Sequence, residues 1–402
     1  MRITRFLCYF LIKILKNTAK FFTFVFGGAF AVAIGIFIFT AAVMIYIDPL
    51  KIYHINQEFS KKLYTNMRVQ AAGIINNYDF NGLILGTSML ENTSAKEAAK
   101  YLTQKKELKF FNLSLSGGNF YKRKFVLDYA LRNKNLDIVL YSLEESALIN
   151  PYEKDSNPYY EHINYDFLYD KNPFNDIKVY FETKFLGCFF GDKNCPLKEV
   201  DFDRPNKWFN IKWHSSRFGG FDNWIKFKDK NQIKDAFNII IDANKTISSG
   251  KFQNFSGDFE KQTKYLDDKI LKFVKNYPQT DFILILPPYS TLYKAIKFQT
   301  KNKEFDFEMK LVKFLVNESK KYSNLKIYGF NDLNFTDDIA NYKDLTHYSE
   351  KINSLMLKMI SNKKGLLTPQ NVNNYIEKVS LKAKNFNIEP YVNQVQKALE
   401  TR

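Results

Sequence analysis

An uncharged run at residues 21–47, FFTFVFGGAFAVAIGIFIFTAAVMIYI, constrains the fold of this chain more than any other feature. It is longer than the roughly 20 residues that cross the hydrocarbon core of a bilayer. Five basic residues and no acidic residue precede it, and the first acidic residue after it is Asp48. The positive-inside rule therefore predicts a single-pass membrane protein with a cytosolic N-terminus and a periplasmic or extracytoplasmic main domain.

A cleaved signal peptide is the alternative interpretation of this run. The apolar core of a signal peptide has only about 7 to 15 residues, and a small-residue cleavage site follows it. The exit from the run, Tyr46-Ile47-Asp48-Pro49, lacks such a site. We therefore expect a retained signal anchor at residues 21–47, a basic cytosolic leader at 1–20, and a stalk at 48–77.

The overall composition is that of a folded chain with an excess of positive charge. Of its 402 residues 45% are hydrophobic, and 59 Lys and Arg against 42 Asp and Glu give a net charge of +17. These values exclude a disordered chain, a collagen-like chain and a multi-span transporter. The basic residues do not concentrate in one stripe, so we expect no nucleic-acid partner, while attraction to anionic envelope polymers remains open.

Two cysteines lie seven residues apart in a loop-like segment, GCFFGDKNCP. In an exported domain, an oxidising compartment would allow Cys188 and Cys195 to form a disulfide. Two unpaired thiols are the alternative. Four ligands suitable for zinc do not cluster anywhere in the sequence, so we expect no metal and no cofactor.

Short apolar runs alternate with helical patterns beyond residue 78. Such alternation predicts an α/β domain with a mainly parallel sheet. We place this domain at residues 78–362 and a polar, helical tail at 363–402. The strand-like runs are residues 82–86, 108–115, 137–141 and 282–286.

The segment 151–257 departs from this alternation and is rich in aromatic residues, so it is interpreted as an insertion or cap. Aromatic side chains can stack on sugar rings in a carbohydrate cleft, but they also form ordinary hydrophobic core. Both interpretations stay open from the sequence. The residues concerned include Tyr159, Tyr160, Trp208, Trp213, Phe218 and Trp224.

Ser88 follows the first apolar run, where an α/β sheet places its ligands, and small Gly86 stands two residues before it. Alone, such a serine could be a turn or cap residue. A serine nucleophile needs a histidine base that a carboxylate orients. The four histidines are His54, His162, His214 and His347, and only His347 lies in a polar loop with an aspartate, Asp344, three residues upstream.

Three short motifs give the sequence a resemblance to a known family. Gly86-Thr87-Ser88, Ser116-Gly117-Gly118-Asn119 and Asp344-Leu345-Thr346-His347, in this order, resemble the SGNH (GDSL-like) hydrolase superfamily. The resemblance implies a three-layer α/β/α flavodoxin-like fold. It also implies that Ser88 is the nucleophile, that His347 is the general base and then the acid, and that Asp344 orients His347.

The resemblance extends to an oxyanion hole, but with a departure. It implies donors at the Ser88 backbone N–H and at Gly117 or Gly118. The family's third motif, Gly-x-Asn-Asp, supplies a further Asn donor, whereas the corresponding strand end here reads Tyr141-Ser142-Leu143-Glu144-Glu145. We therefore expect that Asn119 or Ser142 substitutes for the Asn, or that the hole is weaker.

The arrangement of one N-terminal span before an exported SGNH-like domain resembles envelope proteins that move acyl groups on polysaccharides. Such proteins commonly work beside a membrane-bound O-acyltransferase. The resemblance implies a serine acyl-transfer protein that acts on acetyl or D-alanyl esters of envelope glycans or acylated polymers. The alternatives are a non-catalytic binding or scaffold component with the same fold, and a lipid-directed esterase.

Overall fold

The computed structural model describes residues 28–103, 107–154, 164–189, 194–252 and 254–400. The leader at residues 1–20 and residues 21–27 of the anchor lie outside the described residues. So do Tyr159, Tyr160 and His162.

The first helix, α1, spans Gly28–Ile47, and within the described residues it alone is long and apolar enough to cross a membrane. Most of its side chains are exposed; Phe39, for example, is 70% exposed. Its last turn differs, because Met44 is buried in the main hydrophobic core. The C-terminal end of the helix therefore packs against the rest of the protein.

The centre of the fold is a six-stranded sheet with the order β3-β2-β4-β6-β7-β8. Strands β3, β2, β4, β6 and β7 are parallel, and β8 joins the edge antiparallel to β7. The mixed α/β fold with a mostly parallel sheet is thus confirmed. The strands are β1 Lys62–Leu63, β2 Gly82–Leu85, β3 Phe110–Asn112, β4 Ile138–Ser142, β5 Lys198–Glu199, β6 Asp281–Leu286, β7 Leu325–Gly329 and β8 Leu366–Leu367.

Helices connect the strands and cover the sheet. The α-helices after α1 are α2 Met67–Asn77, α3 Ala95–Leu102, α4 Phe120–Asn133, α5 Glu145–Ile149, α6 Thr183–Phe189, α7 Lys212–Ser215, α8 Phe221–Ile225, α9 Asn231–Ser249, α10 Phe259–Leu266, α11 Lys272–Asn276, α12 Thr291–Thr300, α13 Asn302–Glu318, α14 Glu350–Ser361, α15 Val372–Asn385 and α16 Glu389–Glu400. A π-helical turn, Asp267–Leu271, joins α10 to α11. Short 3₁₀ helices lie at Gln57–Phe59, Asp166–Tyr169, Asp176–Phe181, Asn334–Thr336 and Ile339–Asn341.

Both faces of the sheet are buried. Alternate residues of β2 point to opposite sides, so that Leu83 and Leu85 belong to one apolar cluster and Ile84 to the other. Parallel strands that are covered on both faces read as continuous apolar runs. This explains why these strands were recognisable in the sequence.

The predicted stalk at residues 48–77 is wrong, because this segment is part of the folded domain. Leu50, Leu63 and Ile74 are completely buried. Strand β1 pairs antiparallel with β5 from the aromatic-rich insertion, and α2 packs against α4. The polar residues that made the segment resemble a stalk are largely structural, since Asn76 and Asn77 on α2 donate hydrogen bonds to backbone carbonyls of the exit loop after α1.

The segment 363–402 is helical as expected, but in the structure it packs as part of the domain and not as a separate tail. Strand β8 pairs with β7, and the helices α15 and α16 pack on α12 and α9. Val379 and Val395, one from each helix, are buried. The segment therefore completes the edge of the sheet and one outer surface of the domain.

The described parts of the insertion at residues 151–257 form short helices and the long helix α9. Cys188 and Cys195 form a disulfide with a Cα–Cα separation of 4.6 Å. Of the aromatic residues considered for a carbohydrate cleft, Trp208 and Trp224 are buried, whereas Trp213 is 41% exposed. Trp224 is thus a core residue.

Candidate active site

Ser88 lies in a tight turn directly after β2, at the carboxyl edge of the parallel strands. Gly86 precedes it at a place where a side chain does not fit, because an added Cβ would collide with the Ser142 hydroxyl and with Leu90. The turn therefore requires glycine at this position for steric reasons. Ser88 itself is partly exposed.

Ser88, His347 and Asp344 are in direct contact although 259 residues separate Ser88 from His347. Ser88 Oγ lies 2.9 Å from His347 Nε2. His347 Nδ1 lies 2.9 Å from Asp344 Oδ1 and 3.0 Å from Asp344 Oδ2. With the Nδ1 proton donated to the carboxylate, Nε2 is left to accept the serine proton, which is the arrangement of a Ser-His-Asp triad.

Asp344 is held as a carboxylate by the donors around it. Its Oδ1 accepts the backbone N–H groups of Thr346 at 3.0 Å and His347 at 2.9 Å, in addition to His347 Nδ1. Burial on its own would raise the pKa of Asp344, but His347, Lys343 and these hydrogen bonds hold the pKa well below its ordinary value. The carboxylate thus stays charged and fixes the histidine ring.

His347 is adapted to the role of a base. Burial lowers the pKa of His347 below its ordinary value of 6.5; Asp344 opposes this shift and the charge of Lys343 adds to it. A neutral imidazole at neutral pH can accept a proton from Ser88. The geometry and the charge state therefore both fit general-base catalysis.

The glycine-rich loop after β3 supplies one free backbone donor. Gly117 has a φ of +60°, a conformation that glycine adopts without strain. The Gly118 N–H donates to the Leu115 carbonyl at 2.8 Å. In the described part of the chain, neither the Gly117 N–H nor the Ser88 N–H donates a hydrogen bond, so these two remain as candidates for an oxyanion hole.

Asn119, which we expected in the oxyanion hole, has a structural role instead. It is the N-cap of α4, and its side-chain oxygen accepts the Lys122 N–H at 3.1 Å. Its amide nitrogen donates to the Lys154 carbonyl at 2.6 Å. The side chain is therefore engaged in starting α4 and in holding the chain that leads into the insertion.

Glu144, at the place of the missing Asn, is the centre of a buried clamp. It pairs with Arg123 Nη2 at 2.5 Å and accepts the hydroxyls of Thr87, at 2.8 Å, and of Ser142. Glu144 acts as an acceptor in all three contacts, so it is not an oxyanion donor here. Ser142, the other expected substitute, is also bound in this cluster. The clamp holds Thr87, the neighbour of Ser88.

Arg123 has no distinguishing signal in the sequence, because it stands among other basic residues of a helical pattern. In the structure it is fully buried, and its guanidinium lies 4.8 Å from the ring centroid of Phe120 and 4.5 Å from that of Tyr141. A glutamate at a strand end and an arginine on the preceding helix are each common. Their pairing became visible only once the fold had brought α4 over β4.

The aromatic-rich insertion also reaches the triad. The Trp208 indole N–H donates to the Ser88 carbonyl at 2.9 Å, and its ring meets the His347 ring edge-on with centroids 5.8 Å apart. Trp208 is only 8% exposed, so it covers one side of both residues. His214 also contacts Trp208, with the two ring centroids 5.5 Å apart.

A group of cations lies behind Asp344. Lys343 Nζ contacts Asp344 Oδ2 at 3.3 Å and Gln232 at 2.9 Å, and it lies 4.6 Å above the Trp208 ring. Arg217 shares the Gln232 oxygen at 2.9 Å. Burial lowers the pKa of Lys343 to about 8, because Asp344 offsets only part of the cost of burying its charge. Gln232 and Arg217 both come from the insertion.

Within the described residues, no three His, Cys, Asp or Glu side chains gather into a group that could hold a metal ion. His54 lies far along the chain from the triad and contacts Asp48 in the exit loop at 3.5 Å. The three contacting side chains offer a hydroxyl, an imidazole and a carboxylate.

Comparisons with protein-family models, with curated proteins and with solved structures find no match to this chain. The candidate site therefore rests on its own geometry and on the resemblance of three short motifs.

Proposed function

We propose that this protein is a membrane-anchored serine acyl-transfer enzyme with a three-layer, SGNH-like α/β/α domain. The observation that carries the proposal is the chain of contacts from Ser88 Oγ through His347 to Asp344, at 2.9 and 2.9 Å. The order nucleophile, base and carboxylate, and the hydrogen-bond distances between them, are those that nucleophilic catalysis needs. Their position at the carboxyl edge of a parallel sheet is where α/β proteins bind ligands.

In the first half of the reaction, Ser88 Oγ attacks the carbonyl carbon of an acyl ester and His347 Nε2 takes the hydroxyl proton. A tetrahedral intermediate forms, with its negative oxygen facing the N–H groups of Ser88 and Gly117. The bond to the leaving alcohol then breaks, and His347 gives the proton to the leaving oxygen. The acyl group remains as an ester on Ser88.

In the second half, a hydroxyl group of an acceptor attacks the acyl-serine. His347 takes the acceptor's proton, the bond to Ser88 Oγ breaks, and the proton returns to Ser88. A sugar hydroxyl as acceptor makes the protein an O-acyltransferase, and water makes it an esterase. Asp344 stabilises the imidazolium that forms in each half.

The proposed substrates are acetyl or D-alanyl esters of cell-envelope glycans. In this proposal, helix α1 crosses the membrane, with the N-terminus in the cytosol and the domain on the outer side, as the basic leader favours. A membrane-bound O-acyltransferase is the class of partner that would deliver acyl groups to such a site.

The experiment traps the intermediate. The purified full chain in detergent is mixed with an activated acetyl ester and quenched in acid, and its peptides are analysed by mass spectrometry. We expect acetyl on Ser88. The Ser88→Ala variant should carry none, whereas Ser116→Ala, which changes an exposed serine in the neighbouring loop, should react like the wild type. Adding envelope glycans then distinguishes transfer to sugar from hydrolysis.

A non-catalytic binding or scaffold component of an envelope complex is the second candidate. The engagement of Asn119 and Glu144 in structural contacts favours it, because the oxyanion hole then has only backbone donors. This candidate predicts that Ser88→Ala leaves envelope acylation in cells unchanged while disruption of the insertion abolishes it. Acylation of Ser88 by long-chain esters in preference to acetyl esters would instead favour a lipid-directed esterase.

A further inference from the structure

The loop between α1 and the domain is a rigid joint. Asp48, completely buried, accepts the backbone N–H groups of Ile52, Tyr53 and His54 at 2.9, 2.8 and 2.7 Å, and it also accepts the Tyr180 hydroxyl. Four donors on one carboxylate fix the chain direction after the helix. The domain therefore keeps one orientation relative to α1.

The joint brings one segment of the insertion, residues 171–184, against the side of α1. The rings of Phe181 and Phe37 stack with their centroids 5.9 Å apart and their planes 2° from parallel. The Tyr53 hydroxyl donates to the Pro173 carbonyl at 3.2 Å, which holds the turn that contains Phe174 beside the exit loop. This segment thus lies next to the helix and not at its tip.

The position of Phe37 along the uncharged run sets the depth of this contact. The uncharged run at residues 21–47 is about seven residues longer than the roughly 20 that cross the hydrocarbon core of a bilayer, so its end near Met44, which is buried in the domain, extends beyond the hydrocarbon boundary. Phe37 lies seven residues before Met44, or about 10 Å along the helix at 1.5 Å per residue, so it lies within about 10 Å of that boundary. A ring that stacks on Phe37 is therefore at the depth where apolar side chains of interfacial proteins lie.

The same segment exposes apolar side chains between cationic ones. Phe174 is 88% exposed, the most of any large hydrophobic side chain in the described residues, and Phe181 is 42% exposed. Lys171 and Lys178 are also exposed on this segment. Aromatic rings flanked by lysines suit the boundary between acyl chains and anionic headgroups.

We propose that residues 171–184 form a second membrane contact, in which Phe174 and Phe181 insert into the outer leaflet beside α1. The occupant of this surface is the lipid bilayer. With both α1 and residues 171–184 in contact with the bilayer, the domain keeps one orientation relative to the membrane surface. The inference rests on α1 crossing a bilayer and is independent of the acyl-transfer chemistry.

The test uses the full chain in lipid nanodiscs of phosphatidylethanolamine and phosphatidylglycerol, with or without bromine on the acyl chains. Bromine quenches the fluorescence of a tryptophan that it contacts. The Phe174→Trp variant adds one such reporter to Trp208, Trp213 and Trp224, whose signal is measured in the wild type and subtracted. We expect brominated lipid to remove at least about half of the added fluorescence, because the ring lies at the acyl-chain boundary.

The matched control is Phe252→Trp, which changes another exposed phenylalanine, 58% exposed, just after α9. Its added fluorescence should not respond to brominated lipid. Both positions are exposed, so both variants should fold, as thermal melting of the purified protein will check. Equal quenching of the two variants, or an unquenched Phe174→Trp variant, would overturn the proposal. Acrylamide, a quencher dissolved in water, would then show what surrounds the added tryptophan. Protection from acrylamide would indicate a protein partner, and quenching by acrylamide would indicate open solvent.

Discussion

At the residue scale, the triad is distinguished by the buried cation beside it. Lys343 has 1% of its surface exposed and contacts the carboxylate that orients His347. It neutralises part of the Asp344 charge, and its own charge disfavours the protonated form of His347. Lys343 is thus a positioning residue that also adjusts the base.

This arrangement leads to a prediction about pH. His347 must be neutral to act as a base, so activity should fall as the pH drops through the His347 pKa. Because that pKa is lowered from 6.5, the wild-type midpoint should lie below pH 6.5. Lys343→Met removes a charge that lowers the His347 pKa, so the midpoint should move to higher pH.

The measurement is the rate of Ser88 acylation across pH 4 to 9 by the wild type and by Lys343→Met. Lys358→Met is the matched control, because Lys358 is exposed on α14, outside the site. Its profile should superimpose on that of the wild type. A Lys343→Met profile that is unchanged or moves to lower pH contradicts the assigned role of Lys343.

The sequence indicated the triad residues but not what holds them. Ser88, Asp344 and His347 could be chosen because each stands in a short motif at a strand end or loop. Lys343 and Trp208 carry no such local signal, since Lys343 contacts Gln232 and Trp208 contacts Ser88, in each case more than 100 residues away along the chain. Asn119 was predicted as an oxyanion donor from its place in a motif, but its side chain is the N-cap of α4.

At the scale of elements, the clamp of Arg123 on α4 and Glu144 after β4 fixes the turn that carries Ser88. Removing one member leaves a buried, unpaired charge, which typically costs about 3 to 5 kcal/mol. We expect Glu144→Gln to lower the free energy of unfolding by this amount. Chemical unfolding of the full chain in detergent measures it.

The control for this prediction is an ion pair of the same type on the surface. Asp242 and Lys245 on α9 are 3.3 Å apart, and both side chains are 71% exposed. Asp242→Asn should change the free energy of unfolding by less than about 1 kcal/mol, because solvent screens such pairs. A Glu144→Gln variant as stable as Asp242→Asn would mean that the clamp does not hold the turn.

Strands that form an uninterrupted apolar run were predictable, whereas β7, in which Lys326 interrupts the run, and the two-residue strand β8 were not. The apolar runs predicted at residues 82–86 and 137–141 correspond to β2 and β4 within one residue at each end. Strand β7 and the edge strand β8 were missed. The segment 48–77 was misassigned because α2 presents polar side chains that bind backbone carbonyls inside the protein, and their partners are not visible in the sequence.

At the scale of the whole molecule, hydrogen bonds of α2 connect the loop after α1 with the candidate site. Gln70 on α2 donates to the Leu50 carbonyl of the exit loop at 2.7 Å, and Arg68 on the same helix donates to the Ser116 carbonyl at 3.0 Å. Ser116 adjoins Gly117, a candidate oxyanion donor. Helix α2 therefore links the loop after α1 directly to the glycine-rich loop after β3.

This linkage matters for the proposed chemistry. A site held at a fixed place near the outer leaflet would meet acyl donors that are presented at the membrane surface. It would do so in a constant orientation, which lowers the entropic cost of productive encounter.

The most direct test of the account asks whether Ser88 is an activated nucleophile. The full chain is treated with a fluorophosphonate probe, which reacts with activated serines, and the modified residue is mapped by mass spectrometry. We expect labelling at Ser88, loss of labelling in Ser88→Ala, and a rate lowered at least ~10³-fold in His347→Ala, because the serine then has no base. A folded protein that leaves Ser88 unlabelled, or labels it equally well without His347, would contradict the account.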